Sequence, residues 1–308
     1  MEKKRYAVVT GGNKGIGFEI SRQLALAGIE VILTARDESR GIEAVKKLSD
    51  SGLPNIVFHQ LDINDPRSIE SLVKFIETNF KKLDILINNA ALIGMIMHEK
   101  FRAGAGLVQV LDENVHLLHE VIEEPYELGE ECLKTNYFAT KRVTEALIPL
   151  LQLSNSPRIV NLSSMYGGLS YLHNDKLKEE LLGMQNVTEE RIEEIIQMFL
   201  RDFKASKLPE NGWPLTVSAY KVSKIALNAY TRILAKKLPS FLINSVHPGY
   251  VETDMTSQTG FLKVEEGARP PVMVALLPND GPSGVFFHEM QISSFSGFDP
   301  KQNVRISS

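Results

Sequence analysis

Tyr220 and Lys224 stand four residues apart in the run Tyr220-Lys221-Val222-Ser223-Lys224, a spacing that places both side chains on one face of a helix. A phenol with an ordinary pKa near 10 exchanges protons poorly at neutral pH, and a neighbouring ammonium stabilises the phenolate and lowers that value. Reducing a ketone needs a hydride source, a donor that polarises and protonates the oxygen, and a group that holds the carbonyl. Tyr220 fits the proton donor and Lys224 the tuning group. Spacing alone does not choose them, because Tyr137 and Lys141 repeat it.

A hydride source requires a dinucleotide site. Thr10-Gly11-Gly12-Asn13-Lys14-Gly15-Ile16-Gly17 follows the apolar run Tyr6-Ala7-Val8-Val9, putting glycines where a strand turns tightly and a pyrophosphate meets backbone N–H groups at a helix start. The end of the second strand normally faces the adenosine ribose, where an acid would favour a free 2'-hydroxyl. This chain has Arg36 there, followed by Asp37 and Glu38. A guanidinium can grip a 2'-phosphate in a bidentate way, and Lys14 adds a second positive charge. The expected cofactor is therefore NADPH/NADP+ rather than NAD(H).

The elements that must position these groups are short apolar strands alternating with amphipathic helices, the pattern of βαβ units and a parallel sheet. Strands are expected at Tyr6 to Thr10, Val31 to Ala35, Ile56 to Gln60, Ile85 to Ile87, Arg158 to Leu162 and Leu242 to Val246. Phe18, Ile20, Leu24 and Ala25 predict the first helix, with Gly28 as its stop. The fold class is α/β, a doubly wound parallel sheet in one Rossmann-type domain spanning 1–308. About fifty residues separate Leu162 from the helix beginning near Ser218, so a helical insertion is expected at about 165–217. Within it Ile192, Ile195, Ile196, Phe199, Leu200 and Phe203 follow helical spacing, with Thr188, Glu189 and Glu190 suited to its start. The tail after Pro270, rich in Pro, Gly and Ser, reads as irregular and frayed.

Composition narrows the function. The 308 residues are 43% hydrophobic and 23% charged, enough for one large core. A net charge of -4 with dispersed Lys and Arg gives no basic stripe, so nucleic acid is not the expected partner. The stretch Leu86 to Met97, broken by Asn88 and Asn89, is too short to cross a bilayer. No leader is expected before Tyr6, and the single Cys132 is expected to be a buried small hydrophobe, consistent with a reducing, cytoplasmic location. No metal is expected: the seven histidines lack metal spacing, His116 and His119 included.

Taken in order, these segments resemble the classical short-chain dehydrogenases/reductases. Thr10 to Gly17 is similar to their TGxxxGxG turn, Asp62-Ile63 to their adenine contact, and Asn88-Asn89-Ala90-Ala91 to NNAG, with Ala91 replacing the usual glycine. Asn136 resembles the helix asparagine, Ser163-Ser164 followed by Gly167 the serine strand end, and Tyr220 to Lys224 the YxxxK motif. His247-Pro248-Gly249 followed by Thr253 resembles the PG motif and the threonine that meets the nicotinamide carboxamide. Motif order selects Tyr220 over Tyr137, which is left a packing or pocket role. The resemblance spans about residues 5 to 285. It implies a catalytic set of Asn136, Ser164, Tyr220 and Lys224, in which Ser164 hydrogen-bonds the substrate oxygen and Asn136 holds a water linking Lys224 to solvent. It implies a cofactor lining of Gly11, Asn13, Lys14, Gly15, Ile16, Gly17, Arg36, Asp62, Ile63, Asn89, Ala90, Pro248, Gly249, Val251 and Thr253, together with Tyr220 and Lys224.

The insertion resembles that of monomeric carbonyl reductases and of plant salutaridine reductase-like and menthol or neomenthol dehydrogenase-like enzymes, which implies a monomer. Leu92, Ile93, Met95, Met165, Tyr166 and Tyr250 suggest a pocket for a hydrophobic ketone, and the resemblance implies a cyclic terpenoid or alkaloid-like one. Two alternatives stay open: reduction of a conjugated C=C bond of an enone, whose known catalysts in this branch carry an acid in place of the motif tyrosine, and a sensor or scaffold that binds NADPH without turnover.

Overall fold

The computed structural model describes residues 4–98, 121–184 and 187–297. Strands β1 (Tyr6–Val9), β2 (Glu30–Ala35), β3 (Ile56–Gln60) and β4 (Ile85–Asn88) alternate with helices α1 (Gly15–Leu26), α2 (Glu38–Asp50) and α3 (Pro66–Asn79). A two-stranded hairpin, β5 (Ile96–Met97) with β6 (Ile122–Glu123), precedes α4 (Tyr126–Leu133). That helix widens into a π-helical turn at Lys134–Ala139 and continues as α5 (Thr140–Leu151). Then come β7 (Arg158–Leu162), α6 (Asp175–Gly183), α7 (Glu189–Lys204), α8 (Ser218–Lys237), β8 (Leu242–His247), α9 (Val264–Ala275), β9 (Phe286–His288) and β10 (Gln291–Ser293).

The sheet order is β10-β9-β8-β7-β4-β1-β2-β3, parallel throughout except for β10. The chain winds outward from β1 to β3, then restarts at β4 and winds the other way. Between the carboxyl ends of β1 and β4 lies the point where the direction reverses, and a crevice opens there. Both faces are covered because successive side chains point to opposite sides. Val8, Leu86 and Ile159 join the core beneath α3, α5 and α8, and Ala7, Val9, Ile85, Ile87 and Val160 join the one beneath α1, α2 and α9.

Buried amides fasten the centre. Asn88 and Asn161 are partners across β4 and β7; the Asn88 amide donates to Thr144 Oγ1 at 2.9 Å and to Asn161 Oδ1 at 2.8 Å, and Asn161 donates to Thr231 Oγ1 at 2.8 Å. This row ties α5 and α8 to the strands they cross. In low dielectric, satisfied amides specify one arrangement, whereas an unpaired one would be costly.

The tail departs from expectation. It carries α9, which runs through Pro270 and Pro271, then β9 and the edge strand β10. Proline removes a helical N–H, but burial of Gly267, Ala268, Pro270, Pro271, Val274 and Ala275 compensates. Three-residue strands are too short for periodicity to reveal; what seats β9 is burial of Phe286 and Phe287 against the core. Among the described residues no helix is long and apolar enough to cross a membrane. His116 and His119 lie outside the described residues.

Candidate active site

At the crevice, Thr10 leaves the strand and its hydroxyl accepts the amides of Asn89 at 2.9 Å and Ala90 at 3.0 Å. The Asn89 side chain donates to the carbonyls of Thr10 at 2.8 Å and Gly11 at 3.1 Å. Two motifs nearly eighty residues apart are thereby fixed together. Two glycines are needed here. Gly11 has φ +65°, which favours glycine, and a Cβ on Gly17 would lie 2.4 Å from both Asn89 Nδ2 and the Gly11 carbonyl. No side chain caps the start of α1, leaving its first-turn amides available to an anion such as a pyrophosphate.

Asn13, Gly15 and Ile16 are half-buried at the crevice mouth, and Pro248, Gly249 and Val251 are buried on the loop after β8. Thr253 reaches the glycine turn, its methyl 3.6 Å from where a Gly15 Cβ would stand. Asp62 is half-buried and its carboxylate accepts the Asn64 amide at 2.9 Å, while Ile63 is buried in the core.

Arg36 is exposed at the carboxyl end of β2, and the flanking acid is occupied elsewhere: Asp37 caps α2, accepting from the Arg40 amide at 3.0 Å and the Ser39 hydroxyl at 2.7 Å. Lys14 sits differently from expectation. Its Nζ pairs with Asp254 at 2.6 Å, bridging the glycine turn to the loop after Thr253. The Lys14 bond and charge, with smaller help from Gln258 and from the field of Arg40, hold the Asp254 carboxyl below its usual value. Arg40, which was not among the expected site residues, stands one turn into α2. Its four-residue spacing from Arg36 across a helix start was the available signal.

The catalytic candidates converge at the end of β7. Asn136, Ser164, Tyr220 and Lys224 are all buried, at 1%, 7%, 8% and 3% exposure, so each must be held by partners. Ser164 accepts the Tyr166 amide at 3.2 Å, and the influence of its hydroxyl on the Tyr220 phenol favours the phenolate. Lys224 Nζ lies 5.4 Å from the centre of the Tyr220 ring and donates to the Leu162 carbonyl at 2.7 Å. Burial lowers the Lys224 pKa to about 8. The expected lowering of the phenol is not what the surroundings give: burial, with the field of Cys132, pushes the Tyr220 pKa up, and the Ser164 hydroxyl opposes it.

Asn136 sits in the π-helical turn, a widening frequent at functional sites. Its side chain both accepts from the Leu92 amide and donates to the Leu92 carbonyl, each at 2.8 Å, and donates to Ser223 Oγ at 3.0 Å. It therefore clamps the segment after Ala90 to the Tyr220 helix. Cys132 is buried beneath it, its thiol pushed up to about 12 by burial. Tyr137 is buried and packs edge-on against Phe138 and Tyr230.

Tyr166 stands edge-on to Tyr220 with ring centres 6.5 Å apart. A cavity of about 710 Å³ opens beside the start of α8, lined among others by His98, Ile122, Phe203, Leu208, Leu215 and Thr216. These residues come from the β5–β6 pair and the 165–217 segment rather than from Leu92 to Met95; apart from Phe203, which belongs to the periodic face of α7, they follow no repeating pattern, and packing reveals them.

The short chain dehydrogenase family model matches residues 5–175. The (+)-neomenthol dehydrogenase of Arabidopsis thaliana is 53% identical over 299 residues, covering 96% of this chain and 99% of that protein. The (-)-isopiperitenone reductase of Mentha piperita is 48% identical over 304 residues, covering 93% and 96% respectively. The solved structure of salutaridine reductase from Papaver somniferum, 50% identical, superposes with a TM-score of 0.85 over 93% of this chain and 100% of that one. With the reversal-point crevice, the Thr10–Asn89 clamp and the Ser164–Tyr220–Lys224 cluster already in place, these similarities establish that the chain belongs to the short-chain dehydrogenase/reductase family of oxidoreductases.

Proposed function

We propose that this protein reduces a hydrophobic cyclic ketone, of terpenoid or alkaloid-like type, to a secondary alcohol with NADPH, and catalyses the reverse oxidation. The observation that carries the reading is the burial of Ser164, Tyr220 and Lys224 together at the end of β7, with Lys224 Nζ 5.4 Å from the centre of the Tyr220 ring, so that a carbonyl brought there could accept from both hydroxyls. Bound NADPH supplies the hydride. Tyr220 donates the proton to the nascent alkoxide, Ser164 polarises the carbonyl, and Lys224 is the cation that favours the phenolate left behind. Asn136 keeps the Ala90 side of the crevice against α8. Burial of all four side chains keeps water from competing at the reacting carbon.

Preference for the 2'-phosphate is assigned to Arg36 and Arg40, with Lys14 joining once its pair with Asp254 opens. The cavity beside α8 has an apolar wall of Ile122, Phe203, Leu208 and Leu215 facing polar groups that include Glu123, Glu124 and Thr216, and that wall supports a substrate with a hydrophobic body. The chain is proposed to act as a monomer, with α7 lying over α5 and α8: Lys141 on α5 holds Glu189 at 2.9 Å and Glu193 at 2.7 Å, and Glu189 also pairs with Lys237.

The test is loss of NADPH absorbance with a panel of cyclic terpenoid and alkaloid ketones and matching enones, followed by product identification. Secondary alcohols from the ketones support the reading. Saturated ketones from the enones would favour C=C reduction, the activity named for the Mentha relative, and NADPH binding without turnover would favour a sensor.

A further inference from the structure

Helix α8 carries Tyr220 in its first turn, only two residues after its start at Ser218. First-turn amides have no intrahelical acceptor, so a helix start frays unless something holds it. Here the residue at the cap position, Val217, has no hydroxyl or carboxylate to offer and makes no side-chain cap bond. It also adopts φ +49°, ψ +38°, a left-handed conformation unfavourable for a β-branched residue. Left alone, this start would relax, and Tyr220 would move with it.

The cap comes from 93 residues away. Glu124, directly after β6, directs its carboxylate at the helix start, with Oε1 accepting the Val217 amide at 2.5 Å and Oε2 the Ser218 amide at 2.6 Å. Charge-assisted bonds of this kind are the strong class. Burial pushes the Glu124 pKa up, opposed by the two helix amides, the Ser218 hydroxyl and the charge of Lys221, which is fully buried on the same turn and donates from Nζ to Thr216 Oγ1 at 2.8 Å. Pro125, the next residue, is the cap residue of α4, the helix that runs on into the turn bearing Asn136. One carboxylate thus joins the starts of both helices that supply the reacting cluster.

We infer that Glu124 is a positioning residue for Tyr220: by capping α8 from outside and holding Val217 in its left-handed conformation, it sets the place of the phenol against Ser164. This rests on Tyr220 being the proton donor. Glu124 also lines the cavity beside the start of α8, but both its carboxylate oxygens are taken by the helix amides, so its effect should fall on turnover rather than on cofactor binding.

The test compares wild type, Glu124→Ala, Val217→Gly and the double variant, using menthone as the ketone probe and NADP+ for binding. Glycine adopts the left-handed conformation without strain, so Val217→Gly should relieve the start that Glu124 otherwise restrains. Glu124→Ala is expected to lower kcat at least tenfold with the Kd for NADP+ unchanged within threefold, and the double variant to recover at least threefold. Amide hydrogen exchange at residues 217–220 should accelerate at least tenfold in Glu124→Ala, with the Leu234 end of the helix unaffected; this readout holds even if menthone is not a substrate. Should Glu124→Ala not fold, Glu124→Gln, which keeps one acceptor, replaces it in both backgrounds. Exchange unchanged within twofold, a kcat unchanged within twofold, or a folded double variant with no recovery would each overturn the inference. Where menthone is not turned over, a ketone from the panel above takes its place; faster exchange with wild-type turnover of none of them would leave Glu124 as the cap and refute the proposed ketone reduction instead.

Discussion

Lys224 donates from Nζ to the carbonyl oxygen of Leu162 at 2.7 Å, so the buried ammonium is held by the last residue of the strand that delivers Ser164. The same bond fixes the lysine under the Tyr220 ring. Burial lowers its pKa from 10.5 to about 8. Below that value the lysine is charged in folded and unfolded chains alike, and the full desolvation penalty is present. Between about 8 and 10.5 the unfolded chain holds more of the proton, so stability rises with pH across that window. Urea unfolding of wild type against Lys224→Met should show the difference shifting toward wild type by about 3 kcal/mol over this range; a flat difference would contradict the burial argument.

Replacing Tyr220 by Phe removes the proton donor while keeping the ring that packs against Tyr166. Turnover should fall by about two to four orders of magnitude, and NADPH binding should stay within about threefold, measured by nicotinamide fluorescence. A folded variant with wild-type turnover would end the proposed mechanism.

Arg36 is free of the acid beside it, since Asp37 is engaged in capping α2. Arg36→Ala should raise the KM for NADPH by about tenfold to a hundredfold, the worth of a charge-assisted contact, and leave the KM for NADH nearly unchanged. Equal loss for both cofactors would mean that the guanidinium does not read the 2'-phosphate.

The Lys14–Asp254 pair is 61% and 65% exposed, so it contributes little to stability, about 0–1 kcal/mol. Its effect should appear in binding instead. Asp254→Asn is expected to leave the thermal midpoint nearly unchanged and to tighten NADPH binding by about twofold to tenfold, more at low salt. Weaker binding would show that the bridge helps to hold the cofactor rather than competing for Lys14.

Lys141 and the acids of α7 close over α5 and α8, the surfaces that resemblance to the family makes candidates for subunit packing. Light scattering should therefore give the mass of one chain at micromolar to about millimolar concentration. A stable dimer would rule out the covering role of α7.

Much of the frame was written in local pattern. Six of the eight strands of the main sheet appeared as apolar or β-branched runs within a residue or so of their final ends, because all of them but the edge strand β3 are buried on both faces. Helix α7 was legible to its cap, Thr188, whose hydroxyl accepts the Arg191 amide at 3.2 Å, since capping and amphipathic spacing are both local. Tyr220, Lys224, Ser164 and Asn136 could be nominated from residue type and order. Their geometry could not. That Asn136 grips Leu92 and Ser223, that Lys14 meets Asp254 and that Glu124 caps a helix 93 residues away depend on which loops meet at the carboxyl ends of the strands. Chain separation carries no record of such contacts, and the free energy that selects them comes from satisfying buried polar groups together with the core. The same holds for α9, whose prolines argue locally against a helix and whose burial decides for one.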